Sequence, residues 1–258
     1  MPTAALPGVT IQYERAGCGP PLLLISGTGS DLRHPPSPFA WPVAERFDMV
    51  AYDHRGLGRS VPDDADAQPA MADFAADAVG LVDSLGWERF ALIGISFGGM
   101  VAQEVAIRTP RRITRLALAC TSSGGAGGAS APLHEILALG PPRSAERMLE
   151  LIDVRAREDP ALRARIAALA APPELPLPAG LARQLEARRH HDTWDRLPAI
   201  DVPTLVAAGR HDGISPPENS RRLAAQIPGA RLELFEGGHA FLFQDPAAWP
   251  AITAFLSE

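Results

Sequence analysis

One serine sits where a serine can act as a nucleophile. Gly94-Ile95-Ser96-Phe97-Gly98-Gly99 follows the apolar run at residues 90–95 and precedes a stretch with helical character. A hydroxyl is a weak nucleophile until a base takes its proton. At a tight strand-to-helix turn it stands clear of the backbone, and the helix N-terminus favours a developing oxyanion. G-x-S-x-G alone arises by chance in about one chain in ten of this length, given ordinary glycine and serine usage. The flanking strand and helix are what give it weight.

The base is sought among seven histidines. His34, His54, His134, His190, His191 and His211 compete with His239, which lies in EGGHAFLFQDP just beyond an apolar run at 231–236. Only His239 both follows the end of a strand and comes after the other candidates in the chain. Asp212, in AAGRHDGISP, follows the run at 204–209 and falls between serine and histidine, the order such a site on a parallel sheet uses. Its task would be to hold the imidazole tautomer and stabilise the imidazolium. The position after the preceding strand reads Cys120-Thr121-Ser122 and offers no carboxylate. Two backbone N–H groups are needed for the oxyanion. The expected donors are Phe97 and Thr28, the latter in Ser26-Gly27-Thr28-Gly29, with Gly27 as the alternative to Thr28. Gly27, Leu32, Phe241 and the Phe97 ring are expected to border the substrate.

These residues must be positioned by an α/β framework. Apolar runs at 21–26, 48–52, 90–95, 115–120, 204–209 and 231–236 lack strict alternation, as expected for parallel strands covered on both faces. Residues 9–17 do alternate and read as an antiparallel edge strand. Helical patterns at 72–86, 97–108, 217–226 and 246–257 lie between or after them; the first carries Phe74, Val79, Leu81, Val82 and Leu85 on one stripe. The fold class is therefore α/β, a mostly parallel central sheet flanked by helices. Residues 122–198 break the rhythm: a Gly/Ser-rich opening, an Arg-rich helical stretch and the Pro-rich APPELPLPAG. We read 1–121 and 199–258 as the core and 122–198 as an inserted helical cap. Leu133, Ile136, Leu137, Met148, Leu151 and Ile152 are expected to pack that cap rather than line a pocket.

Composition narrows the chemistry. The 258 residues carry a net charge of −6, and all 24 basic residues are arginine. Without lysine there is no Schiff-base or P-loop chemistry. The acidic balance gives no reason to expect nucleic acid or an anionic membrane as partner. Cys18 and Cys120 form no metal or disulfide pattern, and no run of 18 apolar residues occurs. No basic-then-apolar leader opens the sequence, so a cytoplasmic location is expected. His190 and His191 are adjacent and point apart in a helix. No metal and no cofactor is implied.

Residues 20–121 and 202–257 resemble the α/β-hydrolase superfamily, in particular the group holding 3-oxoadipate enol-lactonases, small carboxylesterases and cofactor-free haloperoxidases. The matching residues are the Ser26–Gly29 turn, Asp53-His54-Arg55-Gly56-Leu57-Gly58-Arg59-Ser60, the Ser96 turn, Asp212 and His239. Many such proteins carry His-Gly where this chain has Ser26-Gly27. The D-x-R-G-x-G-x-S stretch is expected to be a structural loop beneath the site. The resemblance implies the α/β-hydrolase fold and a serine hydrolase cleaving an ester or lactone of small to medium size through an acyl-enzyme on Ser96, with a small-molecule ester-type substrate as partner and a homodimer allowed. C–C bond hydrolases, thioesterases and cofactor-free lyases or cyclases share these residues. A non-catalytic binding scaffold is the reading from outside enzymology.

Overall fold

Buried leucine, valine and alanine runs set the centre of the structure, a computed structural model that describes residues 2–169 and 178–258. The strands are β1 (Thr3–Leu6), β2 (Val9–Ala16), β3 (Pro21–Ile25), β4 (Asp48–Tyr52), β5 (Val61–Pro62), β6 (Phe90–Ile95), β7 (Ile113–Ala119), β8 (Thr204–Gly209) and β9 (Arg231–Phe235). They form one sheet in the order β1-β2-β4-β3-β6-β7-β8-β9, with β5 paired to β2. From β4 through β9 every pairing is parallel, while β2 runs antiparallel to β1 and β4.

Six of the apolar runs become the six parallel strands, and β8 is buried along its whole length. The alternating run at 9–17 is antiparallel as expected, but it is not the edge. The short strand β1 pairs with it outside, in register from Thr3↔Gln12 to Leu6↔Val9. Neither β1 nor the two-residue β5 is long enough to carry a readable periodicity.

Helices cover both faces: α1 (Met71–Ser84), α2 (Phe97–Arg108), α3 (Leu133–Ala138), α4 (Arg143–Ile152), α5 (Pro160–Leu169), α6 (Ala179–Arg189), α7 (Pro217–Gln226), α8 (Phe241–Gln244) and α9 (Ala248–Ser257). Successive strand residues point to opposite faces. Leu23, Ile25, Leu92 and Leu116 thus share a core with Phe74 and Leu81 of α1 and Val101 and Val105 of α2. Leu22, Leu24, Ile93 and Leu205 share the other with Trp249, Ile252 and Phe255 of α9. Fully burying one such side chain contributes roughly 1.5–3 kcal/mol.

Between β7 and β8 the described chain forms helices α3 to α6 and no strand. Leu133, Ile136, Leu151 and Leu185 form a third cluster with Ile214 of the core, against which Leu137, Met148, Ile152 and Leu181 pack half-buried. Most of the Pro-rich stretch read at 171–180 lies outside the described residues. The chain enters the parallel part of the sheet at β3, moves outward to β4, then returns to β6 on the opposite side of β3. Loops leaving β3 and β6 therefore diverge, and a crevice opens at the carboxyl ends of these two strands.

Candidate active site

Ser96 occupies that crevice. It has φ 55° and ψ −115°, directly before the first residue of α2. A non-glycine residue held in this region costs about 1–3 kcal/mol. The turn is possible because Gly94 and Gly98, two residues to either side, have no side chains. A β-carbon on Gly98 would lie 2.0 Å from the Ile25 carbonyl oxygen, and one on Gly94 would lie 2.4 Å from that of Gly98. Hydrogen bonds hold the serine backbone in place: its N–H donates to Ala119 O at 2.8 Å, and its C=O accepts from Gly99 N–H at 2.9 Å and Thr121 Oγ1 at 2.8 Å.

His239 and Asp212 reach the same point from the ends of β9 and β8. His239 Nε2 lies 2.9 Å from Ser96 Oγ, and Nδ1 lies 2.8 Å from Asp212 Oδ2. The other oxygen of Asp212 accepts the N–H groups of Ile214 and Ser215, both at 2.8 Å. That clamp leaves Oδ2 for the imidazole and selects the tautomer with the proton on Nδ1, so Nε2 is the acceptor for the serine hydroxyl. The Asp212 side chain is fully buried and that of His239 is 16% exposed, so the pair is sheltered while the ring edge stays reachable.

The Ser26–Gly29 turn closes the other side. A β-carbon on Gly27 would sit 3.5 Å from that of Ser96. The N–H groups of Gly27, Thr28 and Phe97 donate to no other described residue. Beneath the turn, His54 Nε2 lies 3.0 Å from Ser26 O. Its ring sits edge-on to Tyr52, Phe74 and Phe97. Burial pushes the His54 pKa down to about 4, so the ring is neutral and supports the turn without adding charge. Asp53 accepts N–H groups from Leu32 at 2.7 Å and Arg59 at 2.9 Å, and Ser60 Oγ donates to Asp53 O at 2.6 Å. The D-x-R-G-x-G-x-S stretch thus braces the turn.

Two of the expected substrate contacts fall elsewhere. Phe241 has no accessible surface and stacks on Phe235 with ring centroids 5.4 Å apart. The Phe97 ring is equally buried, edge-on to Phe74 at 5.1 Å. Both rings belong to buried clusters, Phe97 with Phe74 and Phe241 with Phe235. Leu32 is half-buried and packs at the margin of the α9-side core. A groove of about 500 Å³ opens between Gln68–Ala72 and His190–Asp192, and none of Ser96, Asp212 or His239 lines it.

Residues with no sequence signal complete the surroundings. The His239 N–H donates to Ile152 O at the end of α4. Gln244 accepts from Gly238 N–H at 2.8 Å and donates to Asp153 Oδ2 at 3.1 Å. Burial raises the Asp153 pKa, but bonds from the Arg155 guanidinium and N–H outweigh it and hold it below the ordinary value. Gln184 of α6 accepts from Gly29 N–H at 2.8 Å, across 155 residues. No local pattern announces contacts of this range. Among the described residues no group of three histidine, cysteine or acidic side chains is arranged to hold a metal. Nor is any helix among the described residues long and apolar enough to cross a membrane.

Known proteins share this plan. A family model described as serine aminopeptidase, S33 matches residues 22–246. The chain is 35% identical to polyketide synthase ThaQ of Burkholderia thailandensis over 97% of its own length, but spans only 12% of that protein. It is 30% identical to a poly(3-hydroxyalkanoate) depolymerase of Ectopseudomonas oleovorans, over 92% of this chain and 84% of the other. An enol-lactonase structure from Burkholderia xenovorans LB400 superposes with a TM-score of 0.80 at 27% identity, covering 100% of both chains. By matched family, sheet order and the Ser96 turn, the chain belongs to the α/β-hydrolase superfamily and is a hydrolase.

Proposed function

We propose that the protein hydrolyses carboxylic esters or lactones of small to medium size through an acyl-enzyme on Ser96. The observation that carries this reading is the continuous relay Ser96 Oγ–His239–Asp212, with its two contacts of 2.9 and 2.8 Å. His239 Nε2 takes the serine proton as Oγ attacks the carbonyl carbon. The carbonyl oxygen, now anionic, turns toward the N–H groups of Phe97 and Thr28, with Gly27 N–H alongside. Removing one such donor typically costs about 3–4 kcal/mol of transition-state stabilisation. The imidazolium, facing the Asp212 carboxylate, then protonates the leaving alkoxide. Water, activated by the same nitrogen, releases the acid and regenerates the hydroxyl. Residues 122–198 act as the cap over this step, and the length of α3 and α4 favours short acyl groups.

The test is a panel of p-nitrophenyl acetate and butyrate, several lactones and acyl-CoA thioesters, each with wild type and Ser96→Ala, together with labelling by a fluorophosphonate. Ester or lactone turnover that vanishes in the variant, with labelling of Ser96, is the expected result. Labelling with thioester turnover alone would move the reaction class while keeping the nucleophile. A protein that neither turns over nor labels is a binding scaffold.

A further inference from the structure

The turn that presents Thr28 N–H is not held by the core alone. Ser30 N–H bonds back to Gly27 O at 3.4 Å, and Gly29 takes φ +71° within that turn. From below, His54 meets the Ser26 carbonyl. From above, the contact is Gln184 of the inserted helix α6, whose Oε1 accepts Gly29 N–H at 2.8 Å. Leu181, one turn earlier on α6, stands where a Gly29 β-carbon would be 3.5 Å away.

Three observations separate this bond from ordinary packing. Gly29 is an exposed residue, yet its N–H is given to a side chain 155 residues away rather than to the backbone of its own turn. Gln184 has no accessible surface, and its Nε2 is buried with no partner among the described residues. The amide cannot be turned over to relieve that orphan, because two donors would then face each other at Gly29. A glutamine here weakens the fold compared with an apolar side chain of the same shape. What it supplies is a fixed acceptor above the donor turn.

We propose that Gln184 is a positioning residue for the oxyanion donors: the inserted helix sets the place of Thr28 N–H relative to Ser96. This rests on the ester-hydrolase reading above. Small displacements of a preset donor are costly, because the dipole must already lie where charge develops.

The experiment compares wild type with Gln184→Met, which keeps shape and removes the acceptor, on the best ester of the panel. We expect kcat to fall about 10- to 100-fold with KM within about twofold, and the melting temperature to hold or rise. Affinity for an alkyl boronic acid, which forms a tetrahedral adduct on Ser96, should fall by a similar factor, while affinity for the product acid stays. A merely structural glutamine gives the reverse: lower melting temperature with kcat and boronate affinity unmoved, and that result overturns the proposal. Should Gln184→Met fail to fold, Gln184→Leu and hydrogen exchange of the wild-type Gly29 amide decide. Protection of this exposed amide supports the clamp, and exchange at the rate of a free amide refutes it. An inactive, unlabelled wild type sinks the hydrolase reading and this one together. An active wild type with an unchanged variant sinks this one alone.

Discussion

The two sides of the site are held by different means. On the core side, Ser96 and Asp212 sit just beyond strands paired on both sides and His239 just beyond the edge strand β9, and the Asp212 carboxylate receives two N–H groups before it meets the imidazole. On the insertion side, the contacts with the site come from residues far away in the chain: Gln184 of α6 accepts from Gly29 N–H, and the carbonyl of Ile152 accepts from His239 N–H, while α6 also buries Arg188. Arg188 donates to Ala131 O at 2.8 Å, and burial brings its pKa down to about 10. The core side places Ser96, Asp212 and His239 at strand ends; the insertion reaches the same loops across long stretches of chain.

The sharpest way to break this contrast is on the core side. Asp212→Asn should lower kcat about 10⁴-fold, close to 5.5 kcal/mol, by favouring the wrong tautomer, with little change in melting temperature. Steady-state kinetics checks it, and a loss under tenfold would mean the imidazole is oriented by something else.

Acid comes next in size. His54 and His191 are both pushed by burial to about 4, and an unfolded histidine titrates near 6.5. Between those values the unfolded chain binds more protons, so stability falls as pH falls, fully present above about 6.5 and lost toward 4. Each ring contributes up to about 3 kcal/mol over that window. His54 belongs to the core side and His191 to the insertion. Urea midpoints from pH 7 to 4.5 should therefore show a shallower decline for either His→Asn variant; equal slopes in wild type and variants would refute it.

Smaller effects sharpen the division. Leu151→Ala, in the insertion cluster, should cost about 2–3 kcal/mol of stability and change KM more than kcat, measured by denaturation and kinetics. Leu32→Ala, at the site margin, should shift the acyl-length preference with a melting temperature within a few degrees of wild type.

The sequence was legible where local pattern and tertiary role coincide. The buried runs, the G-x-S-x-G turn, Asp212 and His239 could be read because each is a short signal at a strand end. β1 and β5 could not, being too short for a period, and their pairing made β2 internal. The rings of Phe97 and Phe241 were expected beside the substrate, but adjacency in sequence to a reactive residue says nothing about which way a ring turns: one is buried against His54 and Phe74, the other against Phe235. Gln184, Gln244 and Ile152 were invisible because their contacts with the site depend on how the insertion folds back, a relation between segments about 90 to 155 residues apart.

One of those contacts also fastens the insertion to the core. The carbonyls of Leu151 and Ile152, at the end of α4, accept the N–H groups of Gly213 and His239. Displacing α4 would break two main-chain bonds to the loops that carry Asp212 and His239, whereas α6 meets the Ser26–Gly29 turn through side chains alone, Gln184 and Leu181. The insertion is thus moored by backbone at one end and by side chains at the other.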